Sequence, residues 1–178
     1  IKERVDITRN LLTGAKVPDI QMFDSIGGKA IRKMGFDTAK TSASISELYN
    51  KHIDKIASYY KNLYGVNAKY TILVFWAEDC GHCQTEMPKL QEILATIKGK
   101  VDFKVFAVQT KAELFEKWCK FVVDKKLDFI NVYEGIPFNN LRDKFDIFAT
   151  PVIYILDKDK RIKAKKLSAE QVVEIIKI

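Results

Sequence analysis

The residues Thr71–Ala77 (TILVFWA) run almost wholly apolar, and Glu78 and Asp79 then lead into CGHC, Cys80–Cys83. A continuous run rich in β-branched and aromatic residues predicts a central strand covered on both faces, because a half-exposed strand alternates apolar with polar. Such a strand delivers whatever follows it to the carboxyl edge of a sheet, where the sites of α/β folds collect. Here that is a pair of cysteines three positions apart, then a helical pattern through Ile97 interrupted by Pro88.

The later segments keep a strand–helix rhythm. Val101–Thr110 predicts a second strand, and Thr110 with Glu113 predicts a boxed helix start running to about Lys126. Leu114, Phe115, Trp118, Phe121 and Val122 form its apolar face, and Cys119 at the margin reads as a packed thiol. Phe129–Glu134 is a short third strand, followed by a helical turn or two around Asn139–Phe145. PVIYILD and RIKAKKL, split by KDK, predict an antiparallel hairpin, and Ser168 with Gln171 caps a last helix through Ile178. The order β-α-β-α-β-α-β-β-α implies an α/β fold, a mixed central sheet with helices on both faces.

The N-terminal third reads differently. Arg4–Leu12 is a short amphipathic stretch closed by Gly14, and the turn-rich DSIGG predicts a leading hairpin, with Pro18 tolerated at a strand start or edge. Ser44 and Glu47 form a capping-box pattern for an inserted amphipathic helix of about five turns, stopped at Gly65. Tyr49, Ile53, Ile56, Tyr60 and Leu63 recur along it at helical spacing. His52 lies beside that stripe with no metal-ligand spacing around it. The chain opens on Ile1 in mid-pattern, without a signal peptide's apolar centre. Residues 1–16 are therefore read as the end of an upstream segment or linker, and 17–178 as one domain with a helical insertion at about 42–65.

Composition excludes several classes. No apolar run approaches the roughly 18–20 residues of a spanning helix, so any membrane attachment is expected only through a segment upstream. The net charge of +7 is concentrated in Asp157–Lys166. No aromatic residues interleave those lysines as a single-strand binder needs, so they read as a protected hairpin edge and no nucleic acid is expected. Three cysteines cannot build a disulfide framework.

A structural zinc site needs four ligands. The chain offers one knuckle, with His82 inside the loop and His52 and Cys119 distant, so no metal is expected. A working dithiol fits the neighbours better. Cys80 falls at the first turn of a helix, whose unpaired N–H groups and positive dipole end stabilise the attacking thiolate. Cys83, one turn further in, is shielded and placed to close a disulfide. Glu78, Asp79 and Glu86 push the other way. A two-unit pKa shift is worth about 2.7 kcal/mol, or on the order of 60 mV, enough to move such a pair between reductant and oxidant. Late in the chain, Ala149-Thr150-Pro151-Val152 places a proline at a strand entry, and a cis Thr150–Pro151 bond is expected to face the cysteines.

Taken in order, Trp76 in FWA, CGHC, Glu86-Met87-Pro88 and the late Thr150-Pro151 resemble the thioredoxin-like superfamily, and within it the TlpA/ResA-type thiol-disulfide oxidoreductases. The resemblance covers about Gly14–Ile178 and extends to envelope proteins of the Bacteroidetes. It implies a thioredoxin-like fold, Cys80 as exposed nucleophile, Cys83 as resolving thiol, Pro151 as the cis proline, and Glu86 as a carboxylate near the cysteines. His82 gives the loop the CGHC form of protein disulfide isomerases. It further implies exchange with protein thiols and disulfides in the periplasm or cell envelope, an electron-donor or acceptor thiol protein as partner, and no cofactor beyond the cysteine pair. Asp79 departs from the family, whose members commonly carry Trp or another neutral residue before the first cysteine. Two rivals stand: a non-catalytic binding module docking through the tyrosine-rich inserted helix, and a peroxidase of the peroxiredoxin kind.

Overall fold

The computed structural model describes residues 11–177. Its centre is a seven-stranded sheet in the order β2-β1-β5-β4-β3-β6-β7. The strands are β1 (Gln21–Phe23), β2 (Tyr60–Asn62), β3 (Tyr70–Trp76), β4 (Phe103–Gln109), β5 (Ile130–Tyr133), β6 (Val152–Leu156) and β7 (Ile162–Lys165). β3 is buried along its whole length, as a doubly covered strand must be. It pairs in parallel with β4 and antiparallel with β6. Ile72, Val74 and Trp76 enter the core on one face, Leu73 and Phe75 the core on the other.

Among the described residues six α-helices accompany the sheet: α1 (Ser25–Lys33), α2 (Ser42–Ala57), α3 (Gly81–Ala95), α4 (Phe115–Asp124), α5 (Leu141–Lys144) and α6 (Ala169–Ile176). From β3 through α3 to β4, and through α4 to β5, the chain steps in one direction across the sheet. Right-handed crossovers then lay both helices on the same face, and their core residues Met87, Leu90, Phe115 and Trp118 share one cluster. The step back from β5 to β6 runs the other way, and Leu141 of α5 joins the opposite cluster. The α/β, helix-on-both-faces architecture read from the sequence is the one observed. Among the described residues no helix is long and apolar enough to cross a membrane.

Three local expectations are corrected. No hairpin follows β1: Asp24 caps α1, its Oδ1 accepting from Gly27 N–H at 2.8 Å. The glycines that looked like a turn are instead a close-packing surface. A Cβ on Gly28 would lie 2.5 Å from the Phe115 ring and 2.6 Å from Tyr133, so only glycine lets α1 rest on that aromatic cluster. β1 finds its antiparallel partner beyond both helices, in β2.

The inserted helix, second, ends at Ala57, not Gly65, and Tyr60 and Leu63 belong to β2 and a 3-10 turn. Its capping box is Thr41 with Ser44, not Ser44 with Glu47, and its docked side is Ile45, Leu48, Tyr49 and Ile56, while Ile53 is exposed. Third, no Thr110–Glu113 box exists. Thr110 donates both N–H (2.9 Å) and Oγ1–H (3.2 Å) to Trp76 O, and α4 starts after a 3-10 turn over Ala112–Leu114. The Ser168–Gln171 box of α6 is present as read.

Most of Arg4–Leu12 lies outside the described residues. Leu11 is buried, and Gly14–Val17 is hydrogen-bonded to Lys160 and Ile162 at the start of β7.

Candidate active site

Cys80 is the N-cap of α3. Its backbone is extended, its N–H donates to Ala77 O at 3.2 Å, and its Sγ accepts from Cys83 N–H at 3.3 Å. The sulfur thus occupies the place usually filled by a serine or aspartate oxygen, among the orphan N–H groups of a helix start. Thr150–Pro151 is cis, and Thr150 O receives the Cys80 thiol at 3.2 Å. Strand β3 and the entry to β6 are neighbours, so their ends bring these distant segments together. Cys80 is partly exposed and Cys83 is fully buried; both are free thiols.

The two thiols diverge. Burial pushes the Cys80 thiol up, but hydrogen bonds from Cys83, Thr150 and the amides of Cys83 and His82 outweigh it, and the net effect is a lowered pKa. Cys83 is driven upward by burial first and then by its neighbour Cys80. This asymmetry is the one a nucleophile and a resolving thiol need, since the thiolate is the attacking species.

His82 is exposed and enters the site through its amide. Trp76 is buried and packs on Phe121, ring centroids 5.4 Å apart. Glu86 is half-buried, and its carboxylate reaches toward α6: Ala169 N–H donates to Oε2 at 3.4 Å and Lys89 Nζ stands 3.7 Å from Oε1. Cys119 lies on α4, its thiol raised by burial and by Glu116. Among the described residues no three His, Cys, Asp or Glu side chains gather as metal ligands.

Sequence reasoning missed a polar network behind Cys80. Glu78 is 5 % exposed, and burial pushes its carboxyl up while Gln109 pulls it back. Fully buried Gln109 donates from Nε2 to Glu78 Oε2 at 3.0 Å and to Lys111 O at 2.6 Å, and its Oε1 accepts from Lys111 N–H at 3.0 Å. Lys111 Nζ in turn meets Asp79 Oδ2 at 2.6 Å. A glutamine ending the apolar run Val105–Val108 was the available signal. Beside this network a cavity of about 430 Å³ runs past Lys111, Arg142, Phe148 and Thr150.

The sequence matches the AhpC/TSA family over residues 47–165. No curated protein matches the chain. Among solved structures, a domain described as a possible thiol-disulfide isomerase from Cytophaga hutchinsonii is 33 % identical, with a TM-score of 0.68 over 92 % of this chain and 90 % of that one. A thiol:disulfide interchange protein from Bacteroides sp. is 20 % identical with a TM-score of 0.64, covering 95 % and 93 %. The thioredoxin domain of a thiol-disulfide oxidoreductase from Bacteroides vulgatus is 20 % identical with a TM-score of 0.65, covering 93 % and 99 %. The chain belongs to the AhpC/TSA family, and its fold is that of the thioredoxin-like, TlpA-type proteins.

Proposed function

We propose that the protein is a thiol-disulfide oxidoreductase that exchanges disulfides with protein substrates through Cys80 and Cys83, in the periplasm or cell envelope. The carrying observation is the divergence of two thiols one helical turn apart, the outer one lowered and the inner one raised. The Cys80 thiolate attacks one sulfur of a substrate disulfide; a mixed disulfide forms and a substrate thiolate leaves. Cys83 gives up its proton and attacks Cys80 Sγ, releasing the second substrate thiolate. Two electrons and two protons pass to the substrate, and Cys80–Cys83 becomes the disulfide. Run backward, the same steps oxidise a dithiol.

In this reading no dissociable cofactor takes part, and a second thiol protein restores the pair. Thr150 O faces the sulfur, and the cis Thr150–Pro151 segment offers backbone to an extended substrate. Trp76 supports the strand end, His82 supplies its amide, and Glu86 braces α3 against α6. The tyrosines of the rival binding-module reading are engaged internally. Tyr49 packs edge-on to Phe138, Tyr60 against Phe23, Tyr59 against Gly27, and Tyr64 OH donates to Val17 O at 2.5 Å.

The test is reduction of a disulfide-bonded protein by the recycled enzyme. Wild type is expected to turn over, and a Cys80→Ala protein working at the same rate would overturn the proposal. Hydrogen peroxide consumption that outpaces disulfide exchange would favour the peroxidase reading instead. Equilibration with glutathione gives the direction, with about −270 mV pointing to a reductant and about −180 mV to an oxidant or isomerase.

A further inference from the structure

Asp79 puts a carboxylate one residue from the nucleophile, where negative charge opposes formation of a thiolate. The structure answers that charge from a different strand. Lys111 Nζ sits 2.6 Å from Asp79 Oδ2, and both side chains are 44 % exposed. The lysine is not placed by chance of rotamer alone, because its backbone is gripped at both ends by the amide of Gln109, through Oε1 at 3.0 Å and Nε2 at 2.6 Å. Gln109 is itself fully buried and anchored on Glu78 Oε2 at 3.0 Å. The clamp therefore ties the segment before Cys80 to the end of β4, and the lysine's ammonium meets the carboxylate that immediately precedes Cys80 in the chain.

We infer that Lys111 is a positioning residue for the redox pair: fixed by Gln109, it cancels the Asp79 charge and thereby sets the fraction of Cys80 present as thiolate. The inference rests on the reading of Cys80 as nucleophile. The titratable groups around the site are Glu78 and Asp79 on the segment before α3, His82 on α3, Glu113 on the turn after β4, and Glu134 and Arg142, which line the same cavity as Lys111. The Asp79 carboxylate holds the Lys111 ammonium above the ordinary lysine range, so the lysine stays charged across the working pH.

One uncompensated charge at an exposed rim changes a thiolate fraction by roughly threefold. Thiolate nucleophilicity moves in the opposite sense, leaving about a twofold change in rate. The experiment measures, at low salt, the thiolate absorbance titration and the alkylation rate of Cys80, with the labelled site mapped by mass. Lys111→Gln should leave Asp79 uncompensated and lower the thiolate fraction about threefold, and Asp79→Asn should raise it by a similar factor. Lys111→Arg should restore the wild-type fraction. Because the Debye length shrinks to about 3 Å at 1 M salt, the differences should collapse there, which damage to the fold would not do. Unchanged fractions, changes of the same sign in both variants, or salt-insensitive changes would overturn the inference. If the fast-labelling thiol in wild type is not Cys80, the reading of the nucleophile fails first, and the mapping reports that separately.

Discussion

Two helices that pack against each other, α3 and α6, begin with the same geometry and opposite consequences. Ser168 Oγ accepts from Gln171 N–H at 3.3 Å, as Cys80 Sγ accepts from Cys83 N–H at 3.3 Å. At α6 the third helical residue answers, with Gln171 Oε1 taking Ser168 N–H at 2.9 Å, so the box closes on itself. At α3 the third residue is Cys83, whose buried thiol hydrogen-bonds the cap sulfur itself, while the cap's backbone N–H goes to Ala77 O. The α3 cap is left partly exposed, facing Thr150 O. The same helix-start field that fastens a hydroxyl makes an acid of a thiol. Cys119, in the body of α4, lacks that field and is raised.

The strongest way to break this comparison is Cys80→Ser. Serine is a good N-cap, so the melting temperature should stay close to wild type while disulfide exchange falls by about a thousandfold or more. Loss of the fold would mean that the sulfur is structural. Cys119→Ser should leave exchange within about twofold, in keeping with a thiol that does not attack. Gly28→Ala places a methyl against the Phe115 and Tyr133 rings; urea unfolding should show a loss of about 1–3 kcal/mol. Alkylation of Cys80 should stay unchanged in the same variant, since that strain falls on α1. Ser168→Ala, the matched change at α6, should cost about 1 kcal/mol by the same measurement and spare turnover.

The smallest effect is in pH. The Cys83 and Cys119 thiols are raised in the folded chain, so the native state holds those protons more tightly than the unfolded chain. Their contribution is fully present below the ordinary thiol value of about 8.5 and fades as pH rises toward the raised values. Unfolding of the reduced protein should therefore become easier on the alkaline side, and less steeply so in Cys119→Ser.

What could be read from the chain was what lies close together in it. TILVFWA, the CGHC turn and the Ser168–Gln171 box each carry their cause within a few residues, and each appears where the sequence put it. The cis Thr150–Pro151 bond was legible from its place at a strand entry. α1 was not, because glycine is a poor helix former and Gly28 is justified only by rings far along the chain. The end of α2 was hidden because Tyr60 and Leu63 continue the helical spacing past Ala57 by coincidence. The Asp79–Lys111 pair exists only because β3 and β4 end side by side.

β3 lies inside the sheet, with β4 on one side and β6 on the other. Its backbone amides should consequently be among the last to swap with solvent deuterium, since opening them requires parting both neighbouring ladders. The thiol pair rides at the end of a strand held on both edges and buried on both faces, a frame that does not need to breathe for the pair to be reached.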